Sequence, residues 1–248
     1  MNKILEIKNL SKNYQTIKGE IKAIDNISFA LENEEVLCIV GSSGCGKSTL
    51  LNILAGLDTK TSGEIKIKDG CNIGYMLQDD ALFPWLNILD NACLGLDIAF
   101  KKTKENVSFV KDLLIKYGLK DFLDKYPYEL SGGMRQRVAL IRTLALKPDI
   151  LMLDEPFSAL DYVSRLKVSE DVSKIIKQEK KSVIMITHDI AEAISLADRV
   201  IVLSKRPGKV KNIYDIDLKY LDSPLEKRNS EKFSYYYDLL WKEIDKDV

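Results

Sequence analysis

The sequence predicts an α/β fold: a parallel sheet covered by helices, with a mainly helical segment inserted into it. Three observations predict this. Short apolar runs, VLCIV (36–40), ILML (150–153), SVIMIT (182–187) and RVIVL (199–203), have the length and composition of strands buried on both faces. Helical stretches lie between the later runs, and strands alternating with helices build a parallel sheet. Between the first run and the second, over residues 79–147, the pattern turns mainly helical.

The elements follow in order. Residues 4–10 and 24–31 read as strands separated by a polar, glycine-containing turn. The run at 36–40 leads directly into a glycine-rich loop. Residues 48–55 carry Leu50, Leu51, Ile53 and Leu54 and read as a helix stopped by Gly56. GEIKIK (63–68) alternates with period two, the pattern of an exposed hairpin strand. Ser131 is a good N-cap for a helix whose first turn is Gly132, Gly133 and Met134. Val138, Ile141 and Leu144 form its apolar face, and Pro148 ends it. In the tail, Phe233, Tyr236, Tyr237, Leu240 and Trp241 share one face of an amphipathic helix, expected to pack on its own domain.

Composition narrows the function classes. The 248 residues, 46% hydrophobic, suit one large domain or two small ones. Lys+Arg and Asp+Glu both number 37, so the basic excess of a nucleic-acid binder is missing. No apolar run approaches the roughly 20 residues that cross a bilayer. The N-terminal MNKILEIKNLSKNY is too charged for a signal peptide. The expectation is a protein kept in the cytosol that reaches a membrane only through a partner. Cys38, Cys45, Cys71 and Cys93 form no CxxC pair and lie far from the sole histidine, His188. Reduced thiols, not a zinc site, are expected.

GSSGCGKST (41–49) fits GxxxxGK[ST] between a buried strand and a helix, the context of a phosphate-binding P-loop. Its glycines let successive N–H groups converge on phosphate oxygens. The helix N-terminus adds about half a positive charge; Lys47 adds a full one, and Ser48 a hydroxyl for Mg2+. ILMLDEP (150–156) is an apolar strand ending in two acids at the sheet edge where ligands bind. There Asp154 is placed to hold Mg2+ through water. Glu155 is placed to polarise an attacking water, with a pKa raised in a drying site. His188 ends another strand on the same edge, positioned to hydrogen-bond a γ-phosphate and orient the water.

LSGGMRQR (130–137) poses a separate question. Glycine in a helix interior costs roughly 0.8–1.0 kcal/mol relative to alanine, less near an end. A glycine pair in the first turn makes sense if something must come close to the backbone, and a bare helix N-terminus is an anion site. The chain therefore has two half-cradles. Either it binds two anions, or two chains share each nucleotide.

Together these residues resemble the ATP-binding cassette (ABC) family of transporter ATPases, over nearly the whole chain. GSSGCGKST resembles the Walker A motif, LSGGMRQR the signature motif, ILMLDEP Walker B, SALD (158–161) the D-loop and ITHD the switch-histidine loop. Gln78 matches the Q-loop glutamine and Tyr14 the aromatic that stacks on adenine. The resemblance implies a single ABC ATPase domain over residues 1–248. This would be a P-loop NTPase core with an N-terminal antiparallel β-subdomain, an inserted helical subdomain (79–147) and a C-terminal extension (204–248).

It also implies ATP and Mg2+ as ligands. Tyr14, Gly41, Ser42, Ser43, Gly44, Cys45, Gly46, Lys47, Ser48 and Thr49 would hold one nucleotide. Ser131, Gly132 and Gly133 would close over the nucleotide of a second chain in a head-to-tail homodimer. Ser48, Gln78 and Asp154 would serve the metal, and Glu155, His188 and Gln78 catalysis. An isolated monomer would then bind ATP but hydrolyse it poorly.

A transmembrane permease would dock its coupling helix on residues 79–91, placing the protein peripherally on the cytoplasmic face of the membrane. No nucleic acid is implied. DDALFPWLNILDN (79–91) and SKRPGKV (204–210) resemble the nitrate/sulfonate/taurine branch of importers, whose ATPases also work with an extracytoplasmic solute-binding protein. Met134 in place of the glutamine of LSGGQ, the pair Asp79-Asp80 and a short segment before Gln78 depart from the general pattern. An exporter ATPase, a soluble non-transport ABC protein and a small-molecule kinase are the alternatives. Finally, Cys45 sits beside Lys47 among converging N–H groups, so its thiol pKa is expected to be lowered. Thiol reagents would then block ATP binding, and ATP would protect.

Overall fold

The computed structural model describes residues 3–17 and 19–245. In chain order, β1 (Lys3–Thr16) and β2 (Gly19–Glu32) lead into β3 (Val36–Val40), the glycine loop and α1 (Lys47–Leu54). β4 (Ser62–Ile67) and β5 (Ile73–Met76) follow, then α2 (Ile88–Ile98), α3 (Lys104–Lys116) and α4 (Gly132–Leu144). The second half runs β6 (Ile150–Asp154), α5 (Tyr162–Gln178), β7 (Ser182–Ile186), α6 (Ile190–Leu196), β8 (Arg199–Leu203) and β9 (Val210–Asp215). It closes with α7 (Pro224–Arg228) and α8 (Glu231–Asp245).

One sheet has the order β2-β1-β4 and is antiparallel. The other has the order β5-β6-β7-β3-β8-β9, parallel except for the antiparallel edge pair β8–β9. Alternation explains its wholly apolar strands, since successive side chains point to opposite faces. Leu37 and Ile39 of β3, Ile184 and Ile186 of β7, and Ile201 and Leu203 of β8 enter the core shared with α1 and the antiparallel sheet. Cys38 and Val40, Val183 and Met185, and Val200 and Val202 enter the other core, shared with α2 to α6. Both faces being covered, polar side chains appear only where a strand ends.

Several elements differ from expectation. β1 and β2 extend well past 4–10 and 24–31, because their polar ends continue to pair through register shifts. The GEIKIK strand forms no local hairpin. It pairs with β1 from across the sequence, with Ile65 and Ile67 packed on the core and Glu64 and Lys66 in solvent. β5, β9 and α7 are short elements that sequence periodicity does not reveal. In the tail helix, Leu240 is fully buried against the domain, whereas Trp241, read as part of the same face, is 53% exposed and stacks on Tyr237.

Truncating Leu240 tests that packing. Leu240→Ala is expected to lower unfolding stability by about 2–5 kcal/mol, read as a lower denaturant midpoint at unchanged slope. A loss under about 0.5 kcal/mol, the size of a surface substitution, would mean α8 is not seated as described.

Candidate active site

The carboxyl ends of β3, β6 and β7 meet at one edge of the sheet, and a cavity of about 740 Å³ opens there. Lys47, Ser48, Thr49, Glu155, His188 and Tyr14 line it. The glycine loop is shaped by close approach: Gly46 has φ +107°, and a Cβ there would lie 2.6 Å from Ile24 Cγ2. Only glycine fits that corner. Lys47 is buried, and its Nζ donates to the Gly41 carbonyl (2.8 Å) and the Ser42 carbonyl (3.1 Å) inside the loop.

Ser48 Oγ donates to Asp154 Oδ1 at 3.3 Å, across 106 residues of sequence. Burial pushes the Asp154 carboxyl up, against the lowering pull of hydrogen bonds from Ser48 and Tyr75. Tyr75 hydroxyl lies 3.3 Å from Asp154 Oδ2 and 2.9 Å from Asn52 Oδ1. Burial first, then the Asp154 charge, pushes its phenol up to about 12, so it stays a neutral donor. This oxygen-only pair of Ser48 and Asp154 suits a hard cation such as Mg2+, which takes one or two protein ligands and completes its shell with water and phosphate oxygens. Among the described residues no group of three or more His, Cys, Asp or Glu could hold a metal by itself.

Glu155 follows in a left-handed conformation, φ +45°, rare for a residue with a Cβ. Its N–H donates to the Ile186 carbonyl at 2.9 Å, tying it to the end of β7. That turn brings Glu155 Oε2 to 3.0 Å from His188 Nδ1. Tyr14 presents its ring to the same cavity, its hydroxyl donating to Asp58 Oδ2 (2.6 Å) and its ring approached by Lys12 Nζ at 4.7 Å from the centroid.

Gln78 stands apart. It is exposed, with Nε2 3.4 Å from Ser158 Oγ, and Ser158 Oγ donates in turn to the Glu155 carbonyl. Ser131, Gly132 and Gly133 also lie off the cavity wall. Ser131 caps α4 by accepting from Met134 N at 3.3 Å. A Cβ on Gly133 would sit 2.7 Å from Val168 Cγ2, so this glycine is required by helix packing within the chain itself.

The expectation for Cys45 is overturned. The thiol is 1% exposed, and burial pushes its pKa up, outweighing the lowering influence of Lys47. Lys47 Nζ is 3.9 Å from Sγ, and its charge is already engaged by loop carbonyls.

Residues 24–158, more than half of the chain, match the ABC transporter family. The uncharacterised ABC transporter ATP-binding protein YtlC of Bacillus subtilis is 41% identical, over 97% of this chain and 95% of that one. The chain belongs to the ABC transporter family. The aliphatic sulfonates import ATP-binding protein SsuB of Bacillus cereus is 40% identical, over 92% of this chain and 91% of its own length. The nitrate import ATP-binding protein NrtD of Synechocystis is 42% identical, over 86% and 83%. A solved cassette, MJ0796 in a dimeric post-hydrolysis state bound to ADP and Pi, matches with a TM-score of 0.72 and 31% identity, covering 86% of this chain and 98% of that one. The chain is thus an ABC ATPase.

As an ABC cassette it shows further contacts that motif reading missed. Asp80, a departure from the usual pattern, accepts from Arg135 Nε of the signature helix at 2.8 Å. Arg142, two turns further along the same face, donates to the Asp80 and Ala81 carbonyls. Gln136 donates to the Pro156 carbonyl, joining the signature helix to the Walker B turn. Arg206 of SKRPGKV lines the nucleotide cavity and donates from Nε to the Gly44 carbonyl at 3.1 Å. That segment was legible only as a resemblance; its contact with the P-loop was not.

The cysteines offer a direct check. Cys71 is half-buried and the other three are buried. With iodoacetamide at neutral pH, Cys71 is expected to alkylate first and Cys45 slowly, at a rate limited by local opening. Alkylation of Cys45 as fast as Cys71, mapped by peptide mass, would restore the activated-thiol reading.

Proposed function

We propose that this ABC ATPase drives an importer for a small solute of the nitrate, sulfonate or taurine kind, working as a head-to-tail homodimer beneath a permease. One observation carries the dimer: the P-loop cavity and the LSGGM motif belong to the same chain, yet none of Ser131, Gly132 or Gly133 reaches the cavity wall. A nucleotide on Lys47 is enclosed on its open side only if another copy supplies that motif. The dimeric state of the solved MJ0796 cassette supports this reading, and the import functions in the names of the sulfonate and nitrate relatives support the solute class.

In this scheme Tyr14 stacks on the base, while Lys47, Thr49 and the N–H groups of residues 41–48 hold the phosphates. Ser48 and Asp154, with Gln78 as a third candidate, would hold Mg2+, which when bound would neutralise charge on the phosphate oxygens. Glu155 Oε2 takes a proton from the attacking water. His188, 3.0 Å from it, orients that water and the terminal phosphate.

The permease would rest on the segment after Gln78. There Phe83 and Trp85 stack at 4.9 Å, with Trp85 69% exposed. Asn91, fully buried, braces the segment by donating to the Phe83, Leu86 and Asn87 carbonyls and accepting from Phe83 N. A braced, exposed aromatic pair suits a docking surface. The protein would then sit on the cytoplasmic face of the membrane, served by an extracytoplasmic solute-binding protein and by no nucleic acid.

Subunit mixing tests the shared site. Lys47→Ala and Ser131→Arg are each expected to abolish hydrolysis alone. Mixed in equal amounts they should recover about a quarter of the wild-type rate, because half of the dimers are mixed and each carries one intact site. No recovery, with dimers demonstrably exchanged, would show that each chain completes its own site. Separately, Glu155→Gln is expected to slow turnover by about 10²–10⁴-fold and to run as an ATP-dependent dimer in size-exclusion chromatography. A variant that stays monomeric in saturating Mg-ATP would remove Glu155 from the base role.

A further inference from the structure

At the opposite end of the parallel sheet, where β3 and β7 begin, lies a second cavity of about 240 Å³. That is below the roughly 300–1,000 Å³ of drug-sized pockets, so an occupant must be small. Its inner wall is apolar: Val172 and Ile176 of α5, Val183 and Met185 of β7, and Leu196 of α6, all buried. Its polar lining is unbalanced. Lys177, Lys180, Lys181, Lys219 and Lys227 face it, against the carboxylates of Glu34 and Asp198 only.

Lys227 is the telling residue. Its stem is buried, the residue being 6% exposed, and it lines the cavity, onto which its ammonium opens without a hydrogen bond or ion pair among the described residues. The nearest candidate partner is already engaged: Asp198 Oδ2 accepts from Val36 N at 2.8 Å and Oδ1 pairs with Lys219 at 3.3 Å. Lys177 is held by the Asp222 carbonyl at 2.6 Å. Burial accordingly pushes the Lys227 ammonium down, with Asp198 opposing. An ammonium on a buried stem, opening onto a largely apolar cavity, leaves room there for an anionic partner.

We propose that this cavity is a binding site for a small organic anion, a carboxylate or sulfonate on a short hydrocarbon body. The charged end sits on Lys227, with the mouth lysines steering it in, and the hydrocarbon lies against Val172, Val183 and Leu196. An inorganic anion would leave the apolar wall unused. A neutral or cationic ligand would leave Lys227 unpaired.

The site is tested by calorimetric titration of the full chain with hexanoate and hexane-1-sulfonate, beside hexan-1-ol, hexylamine and inorganic phosphate. Saturable binding of one or both six-carbon anions is expected, and the pair distinguishes which head group is taken. The alcohol and the amine should give none, and phosphate at least about tenfold weaker binding. Lys227→Met, which keeps the chain length without the charge, should weaken the anion at least about tenfold, as for loss of a charge-assisted hydrogen bond, while basal ATP hydrolysis is unchanged. Val172→Phe, which fills the apolar end and leaves Lys227, should weaken it as well. Absence of binding by either anion, equal binding of the alcohol or of phosphate, or unchanged affinity in both variants would overturn the proposal.

Discussion

The central strands of this protein have no face left for water. β3, β6, β7 and β8 are sandwiched between two apolar cores, so polar side chains are confined to the ends of the strands. The chemistry is a direct result of that constraint. Lys47 and Ser48 follow β3, Asp154 ends β6 with Glu155 just after it, and His188 follows β7; adjacent parallel strands then bring these groups to one edge. Ser48 and Asp154 touch although they lie far apart in the chain. The strained Glu155 backbone fits the same pattern. Where β6 must stop, its N–H still pairs with the Ile186 carbonyl, and the resulting bend aims the carboxylate at His188.

A second set of contacts binds the loops to one another. Arg135 to Asp80 and Gln136 to Pro156 anchor the signature helix to the segments after Gln78 and after Glu155. Arg165, on α5, reaches Asp189 beside His188 at 3.2 Å. The stretch that carries the exposed Phe83–Trp85 pair is therefore connected, through Asp80 and α4, to the turn that holds Glu155. A short covalent and hydrogen-bonded route thus joins this exposed surface to the edge that carries Glu155 and His188.

Motifs written in consecutive residues were readable from the sequence. The glycine loop, the acidic end of β6 and the capped start of α4 each combine a turn, a charge and an apolar run within about ten residues of chain. Contacts made across the fold were not readable. Nothing local shows that Tyr75 meets Asp154, that Arg206 meets the glycine loop, or that Asp80 has Arg135 as its partner. Short edge elements escaped too, since the four residues of β5 are too few to display a period. Cys45 misled for a complementary reason. Its neighbours in sequence supply positive charge, but its thiol is folded into the apolar core shared by α1 and the antiparallel sheet, which pushes its pKa up. Desolvation is a tertiary quantity, and no neighbouring residue announces it.

The contact between Gly133 and Val168 ties the signature motif to the longest of the core helices. α5 has 17 residues, a rigid rod of about 25 Å. It starts at the Asp161 cap, presses its second turn on the signature glycine and carries Val172 and Ile176 toward the far end of the sheet. Close packing leaves no slack at Gly133, so a small tilt of this rod must displace the glycine's backbone amide. The position of the signature turn is thus hostage to whatever seats the rod's distal turns.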